Sequence, residues 1–68
     1  MTRDQWLAEF ARRLDVEPPT EREVEQLLNL AGLAAHASER TAAPIACWIA
    51  GRSPQELSEL LELAREIA

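Results

Sequence analysis

The chain has 68 residues, of which 47% are hydrophobic, and a formal net charge of −5. This length allows one domain at most, and the apolar fraction is too high for a disordered segment. The acidic balance disfavours nucleic acid and membrane surfaces as partners, because both require a basic contact surface. A single cysteine excludes an internal disulfide, so we expect a protein partner or a second copy to supply part of the stability that so small a core lacks.

The N-terminal residues do not have the pattern of a secretory signal, because Thr2, Arg3 and Asp4 lead into an amphipathic stretch. No apolar run approaches the ~20 residues that cross a bilayer. We therefore expect a cytoplasmic protein.

The first helix is predicted by the spacing of Thr2 and Gln5, which is that of a capping box. Apolar residues then recur at helical spacing and share one face. This face consists of Trp6, Leu7, Phe10, Ala11 and Leu14. Pro18 and Pro19 hold the residues before them out of the helical region, so we expect the helix over residues 3–14.

The second helix is predicted over residues 21–38, because Thr20 and Glu23 form another capping box directly after the prolines. Apolar residues cover most of its circumference, which is typical of a central helix or of one with a partner. Gly32 inside this helix costs about 1 kcal/mol relative to alanine. We attribute its presence to the close approach of another backbone.

Pro44 determines how the chain continues after the second helix. In a helix interior its ring would clash with the carbonyl four residues earlier, at a cost of ~3 kcal/mol. We therefore predict a break at residues 38–41 and a third helix over residues 42–50, with Thr41 as its cap. Gly51 is expected to end this helix in the left-handed conformation.

The fourth helix is predicted over residues 54–67, with Ser53 as N-cap, Pro54 in the first position and Glu56 in the third. Leucines follow at helical spacing, and the chain shows no strand pattern. The predicted fold is all-α, a compact four-helix bundle of short helices in a single domain over residues 1–68.

The charged joint between the second and third helices has two interpretations. Arg40 with His36 and Thr41, beside free amides at the start of the third helix, would hold a phosphate or a carboxylate. In the alternative, these charges only offset the helix ends, with Arg40 neutralising carbonyls of the second helix and Glu39 favouring the start of the third.

Enzymatic and metal sites find no support in the sequence. Cys47 lies in an apolar helix, where burial would raise its pKa and leave an inert thiol. One histidine and one cysteine are too few for a structural zinc site, which takes about four ligands. The carboxylates are spread over polar faces and the two glycines are isolated, so we expect no enzyme, metal or cofactor.

Trp6 and Trp48 also have two interpretations. A tryptophan at helical spacing with leucines is typical of a core, but tryptophan is also enriched at binding hot spots. Four short helices supply few residues to cover the apolar second and third helices. We therefore keep Trp6, Trp48, Ile45 and Ile49 as candidate interface residues.

Several segments resemble the signature of a bacterial family of small helical domains of unknown function. They are Asp4-Gln5-Trp6-Leu7, Leu27–Ala31, Ala35-His36, Glu39–Pro44 and Gly51. Members of that family occur alone or fused to nucleotidyltransferases of the molybdenum-cofactor guanylyltransferase type. Thr41 departs from the pattern, which has proline there. The resemblance implies an accessory role near molybdenum-cofactor nucleotide transfer, with no catalytic residues to carry over.

Residues and resemblance together lead to one functional hypothesis and one alternative. The hypothesis is a non-catalytic helical accessory or interaction module that acts by self-association, for instance as a homodimer, or by docking on a larger enzyme. The alternative is a domain that binds a small anion, a nucleotide or a pterin phosphate through Arg40 and the start of the third helix.

Overall fold

The computed structural model describes residues 1–67, which form four helices joined by short loops. They are α1 (Arg3–Leu14), α2 (Glu21–Ala37), α3 (Ala42–Gly51) and α4 (Leu57–Ile67). No strand occurs in this part of the chain, so the predicted all-α fold of four helices is confirmed. Within the same residues, no helix combines the length and the apolar character that crossing a bilayer requires.

Both predicted capping boxes are present. Thr2 Oγ1 accepts a hydrogen bond from the Gln5 N–H at 3.1 Å, and Gln5 Oε1 accepts one from the Thr2 N–H at 2.9 Å. Thr20 and Glu23 repeat this arrangement at 3.1 and 2.8 Å. Each box pairs amides that the first turn of a helix leaves without partners, which is why α1 and α2 begin where the sequence predicts.

Helix α1 ends at a left-handed residue that is not glycine. Asp15 has φ 58° and ψ 46°, and its N–H bonds back to carbonyls in the last turn. The Val16 N–H donates to the Ala11 carbonyl at 3.0 Å, which completes a Schellman motif. A left-handed conformation costs a residue with a Cβ roughly 1 kcal/mol.

The chain breaks between α2 and α3 as predicted, but a backbone turn rather than a threonine side chain begins α3. Thr41 occupies the cap position without any side-chain hydrogen bond to the helix. The Ala42 N–H donates to the Glu39 carbonyl at 2.9 Å, and the Ala43 N–H donates to the Arg40 carbonyl at 3.2 Å. The expected capping role of the threonine hydroxyl is therefore wrong.

Helix α4 begins three residues later than predicted. The Ser53 hydroxyl accepts from the Gln55 N–H at 3.2 Å, so the serine closes a local turn and does not cap the helix. The Glu56 carbonyl accepts from the Leu60 N–H at 3.1 Å and thereby opens the helical ladder. Serine favours a local turn and a helix N-cap alike, so the sequence alone did not show which of the two forms at Ser53.

The two predictions about glycine are wrong. Neither glycine has a positive φ, and Gly51 is the last residue of α3, followed by Arg52 in the right-handed conformation. A Cβ built on Gly32 would meet nothing within 4 Å, so no other backbone among residues 1–67 approaches it closely. Both glycines lie where alanine fits.

Helix α2 is the central element, because α3 and α4 both pack against it. Leu30, Ala50 and Leu61, one residue from each helix, form the shared core. This core is thin, since Leu30 and Leu61 each remain 6% exposed and no side chain in the described part of the chain is fully buried.

Helix α1 contacts the other helices far less than α3 and α4 contact α2. Its Leu7 and Ala8 line a cleft with Pro18, Pro19 and Val24, near the first turn of α2. The loop and this cleft place α1 beside the N-terminal end of α2.

Gly32→Ala is expected to raise the free energy of unfolding by about 1 kcal/mol, because alanine restricts the unfolded chain and no atom obstructs the new Cβ. Urea unfolding at a fixed protein concentration measures the change. Gly51→Ala, at the end of α3, is the matched control and should give a smaller gain. A loss of stability in Gly32→Ala would contradict the open surroundings described here.

Asp15→Gly is expected to raise the free energy of unfolding by about 0.5–1 kcal/mol, because glycine adopts φ 58° without steric cost. Thermal and urea unfolding check this gain. Asp15→Val should lower stability, since a β-branched side chain tolerates that conformation least. Equal stability of the two variants would show that the left-handed cap does not form.

Candidate interaction surface

Helices α2, α3 and α4 leave a groove of about 410 Å³ between them, beside the core. We call it the apolar groove and define it by two residues from each helix. They are Leu33 and Ala37, Ala46 and Ile49, and Leu63 and Ile67. Ser38 is the one polar residue among those that line it. A cavity of this size with apolar walls suits hydrophobic side chains and offers few groups for a polar ligand.

The outer face of α3 continues this apolar surface. Ile45, Trp48 and Ile49 lie three and four residues apart on one side of the helix and are 59%, 64% and 59% exposed. The Arg52 guanidinium carbon lies 4.8 Å from the centre of the Trp48 ring, within cation–π distance. The candidate interface residues of α3 therefore lie on the surface, and Ile49 belongs to both the face and the groove.

A second apolar surface runs along α1, and we call Trp6, Phe10 and Leu14 the α1 stripe. The rings of Trp6 and Phe10 stack with centroids 5.1 Å apart and planes 30° apart. The three residues are 53%, 50% and 56% exposed. Since Trp6 and Trp48 are both more than half exposed, the interpretation that places the tryptophans in the core is wrong.

The exposed area of the whole chain is large for its mass. The structure exposes 5685 Å², whereas a folded monomer of 7.6 kDa exposes about 4,300 Å². The excess, about 1,400 Å², exceeds the roughly 800 Å² that each partner contributes to a stable protein–protein interface. The apolar groove, the face of α3 and the α1 stripe account for most of the large exposed hydrophobic residues.

The residues of the anion-binding alternative remain on the surface and do not converge. Arg40 makes no ion pair with any residue from 1 to 67, and the Ala42 and Ala43 amides are already bonded to carbonyls. His36 lines a shallow depression with Arg65 and Gly32, to which Arg40 does not contribute. No group of three or more ligand-type residues in the described part of the chain forms a cluster for a metal ion.

Cys47 lies against the central helix. Its Sγ is 3.8 Å from the Leu27 carbonyl oxygen, and partial burial raises the pKa of the thiol above its usual value. A raised pKa keeps the sulfur protonated at neutral pH and removes the thiolate that a nucleophile requires. The thiol therefore contributes to the packing of α3 against α2.

Leu63 is one of the groove residues that the sequence analysis did not single out. It lies four residues after Glu59 and three before Glu66, and so borders the acidic side of α4. Its spacing from Leu60 and Ile67, three and four residues away, was the available signal, because it widens the apolar side of α4 beyond Leu61, the residue that enters the core.

Cys47 is expected to react with a thiol reagent more slowly than an exposed cysteine at pH 7–8, because its raised pKa lowers the thiolate fraction. Reaction rates with a chromogenic disulfide, measured from pH 7 to pH 10, test this. The control carries Ser58→Cys on exposed α4 surface together with Cys47→Ser. Equal rates at neutral pH would contradict the environment described for Cys47.

Comparison with known proteins gives one result at the level of the family. No curated protein and no solved structure matches the chain significantly. The sequence profile of one family, described as a domain of unknown function (DUF6457), matches residues 1–68, the whole chain. The chain belongs to the DUF6457 family of domains of unknown function.

Proposed function

We propose that the protein is a non-catalytic helical interaction module that acts through the apolar groove and the adjoining face of α3. The observation that carries this proposal is the exposed area, which exceeds that of a folded monomer of equal mass by about 1,400 Å². Burial of apolar surface stabilises by roughly 25 cal/mol per Å², so covering the exposed side chains of Ile45, Trp48 and Ile49 favours association.

The composition of the surface supports a protein partner over a small molecule. Ile45, Trp48 and Ile49 supply the aromatic and aliphatic anchors that dominate protein interfaces. Arg52 beside Trp48 is another residue type enriched there. The groove offers little polar functionality for orienting a ligand or a reacting group.

The partner is a second copy of the chain or a larger enzyme. The resemblance described above directs the second option to an enzyme of molybdenum-cofactor nucleotide transfer, which is the first candidate for a docking experiment. A cytoplasmic setting is part of the proposal, because the unpaired thiol of Cys47 fits a reducing compartment.

A photo-reactive amino acid in place of Ile49 is expected to form covalent protein adducts, because this position lies in the groove and is 59% exposed. The experiment uses the purified chain at high concentration and the chain expressed in its native cell. Adducts are separated by mass and assigned by mass spectrometry.

The same probe in place of Glu62 is the control, since this exposed residue of α4 does not line the groove. The proposal requires discrete adducts at Ile49 that are absent at Glu62. If Ile49 gives none, both in the purified protein and in the cell, the groove is not an interaction surface.

A further inference from the structure

We propose that the occupant of the apolar groove is helix α1 of a second copy of this chain. The two copies form a two-fold dimer in which each α1 stays attached to its own copy and docks into the groove of the other. This inference rests on the proposed function and names its partner. In the complex, the α1 stripe of each copy lies in the groove of the other.

Helix α1 is amphipathic, and only part of its apolar side has a partner among the described residues. Leu7 and Ala11 face the chain, and Ala11 is buried, but the α1 stripe on the adjacent side is half exposed along its full length. A stable amphipathic helix normally packs its apolar stripe against another element. Within one copy, nothing in the described residues covers it.

The dimensions of the stripe and of the groove agree. From Trp6 to Leu14 the stripe extends about 12 Å along the helix axis, and the groove wall from Leu60 to Ile67 extends about 10 Å. The stacked rings of Trp6 and Phe10 form one compact aromatic ridge, with centroids 5.1 Å apart. Such a ridge has the shape that a groove between helices accepts.

The chain's own α1 is held away from its groove. Its Leu7 and Ala8 line the cleft near the first turn of α2, whereas the groove residue Leu33 lies about 18 Å further along that helix. Occupation within one copy would require the cleft to open and the proline loop to rearrange. Occupation by a second copy leaves both in place.

Local charges favour this pairing despite the net charge of −5 on each copy. Helix α1 carries three arginines and two acidic residues, whereas α4 carries three glutamates and one arginine. Arg3 and Arg13 flank the α1 stripe, and Glu59 and Glu66 flank Leu63 at the edge of the groove. This docking therefore places the basic helix of one copy beside the acidic helix of the other.

The arginines of α1 keep donors for such contacts. Glu9 accepts from Arg12 at 2.8 and 2.9 Å and from Arg13 at 3.0 Å, and these bonds lower the pKa of its carboxyl group. Arg13 uses only its Nε in this contact, and its side chain is 73% exposed. Its terminal nitrogens make no hydrogen bond with residues 1–67 and can donate to a carboxylate of the partner.

The available area is that of a stable dimer. Each copy exposes about 1,400 Å² more than a folded monomer of its mass, and a standard interface takes roughly 800 Å² from each partner. Reciprocal docking uses two separate surfaces of each copy, the stripe and the groove, and buries both in one closed two-fold complex. No unpaired copy of either surface remains to extend a chain of subunits.

Two measurements on the full chain test the docking of α1. In the first, light scattering and sedimentation equilibrium give the mass and the dissociation constant of the wild-type chain, whose monomer is 7.6 kDa. Trp6→Ala should weaken the dimer about tenfold or more, because it removes a central aromatic anchor. Leu28→Ala is the control, since it removes a similarly exposed apolar side chain of α2 (56% exposed) that lies outside the α1 stripe and does not line the groove, and it should change the constant less than twofold.

In the second measurement, a benzophenone amino acid replaces Phe10, and the product is mixed with isotope-labelled wild-type chain and irradiated. We expect adducts that join one unlabelled and one labelled chain, with the attachment at groove residues. The same probe at Arg12, on the opposite side of α1, should give none. Circular dichroism checks that the variants keep their helices.

The outcomes separate this inference from the proposed function. A strictly monomeric chain, adducts within one chain only, or a dimer that Trp6→Ala weakens no more than Leu28→Ala does, each overturns the docking of α1 in the partner's groove. If the probe at Ile49 still gives adducts in those cases, the groove remains an interaction surface with another occupant. If neither probe gives adducts, both proposals fall.

Discussion

The tertiary structure depends on helix α2, because α3 and α4 both pack against it. Leu30 forms a buried core with Ala50 and Leu61, in which three helices of the described part of the chain meet. Two of these three side chains come from leucine and one from alanine, so the core fills a small volume. A chain of this size has too few residues to surround a central helix that is apolar on most sides. The exposed groove is a direct result of that shortage.

Sequence patterns located the helices wherever a local interaction decides the structure. The capping boxes at Thr2 and Thr20 predicted two helix starts to the residue, since both partners of each bond lie within four positions. Pro44 predicted the break before α3 for the same kind of reason. The start of α4 was predicted wrongly, because Ser53 favours a helix cap and a serine turn alike. Leu61, in the first turns of the observed helix, packs in the core with Leu30 of α2, a tertiary contact that the local sequence does not encode.

The candidate site was predictable in part. The candidate residues Ile45, Ile49, Trp6 and Trp48 lie on the surface, but periodicity gave no means to tell an apolar face that packs inward from one that remains exposed. That distinction depends on how the helices lie relative to one another, and the spacing of apolar residues along the sequence does not contain this information. The grouping of Ile49 with Leu63 in a groove required the three-dimensional structure. The weak attachment of α1 was likewise invisible, because its sequence resembles that of any amphipathic helix.

The attachment of α1 has a consequence for local stability. A helix of 12 residues is marginal in water when it stands alone, and α1 has little beyond its caps, one cleft and the Trp6–Phe10 stack to support it. In a lone copy, its amides should exchange with deuterium through local fraying, long before those of α2, which open only with global unfolding. The fold then consists of two cooperative units, a three-helix unit and a terminal helix that orders fully when its aromatic side is covered.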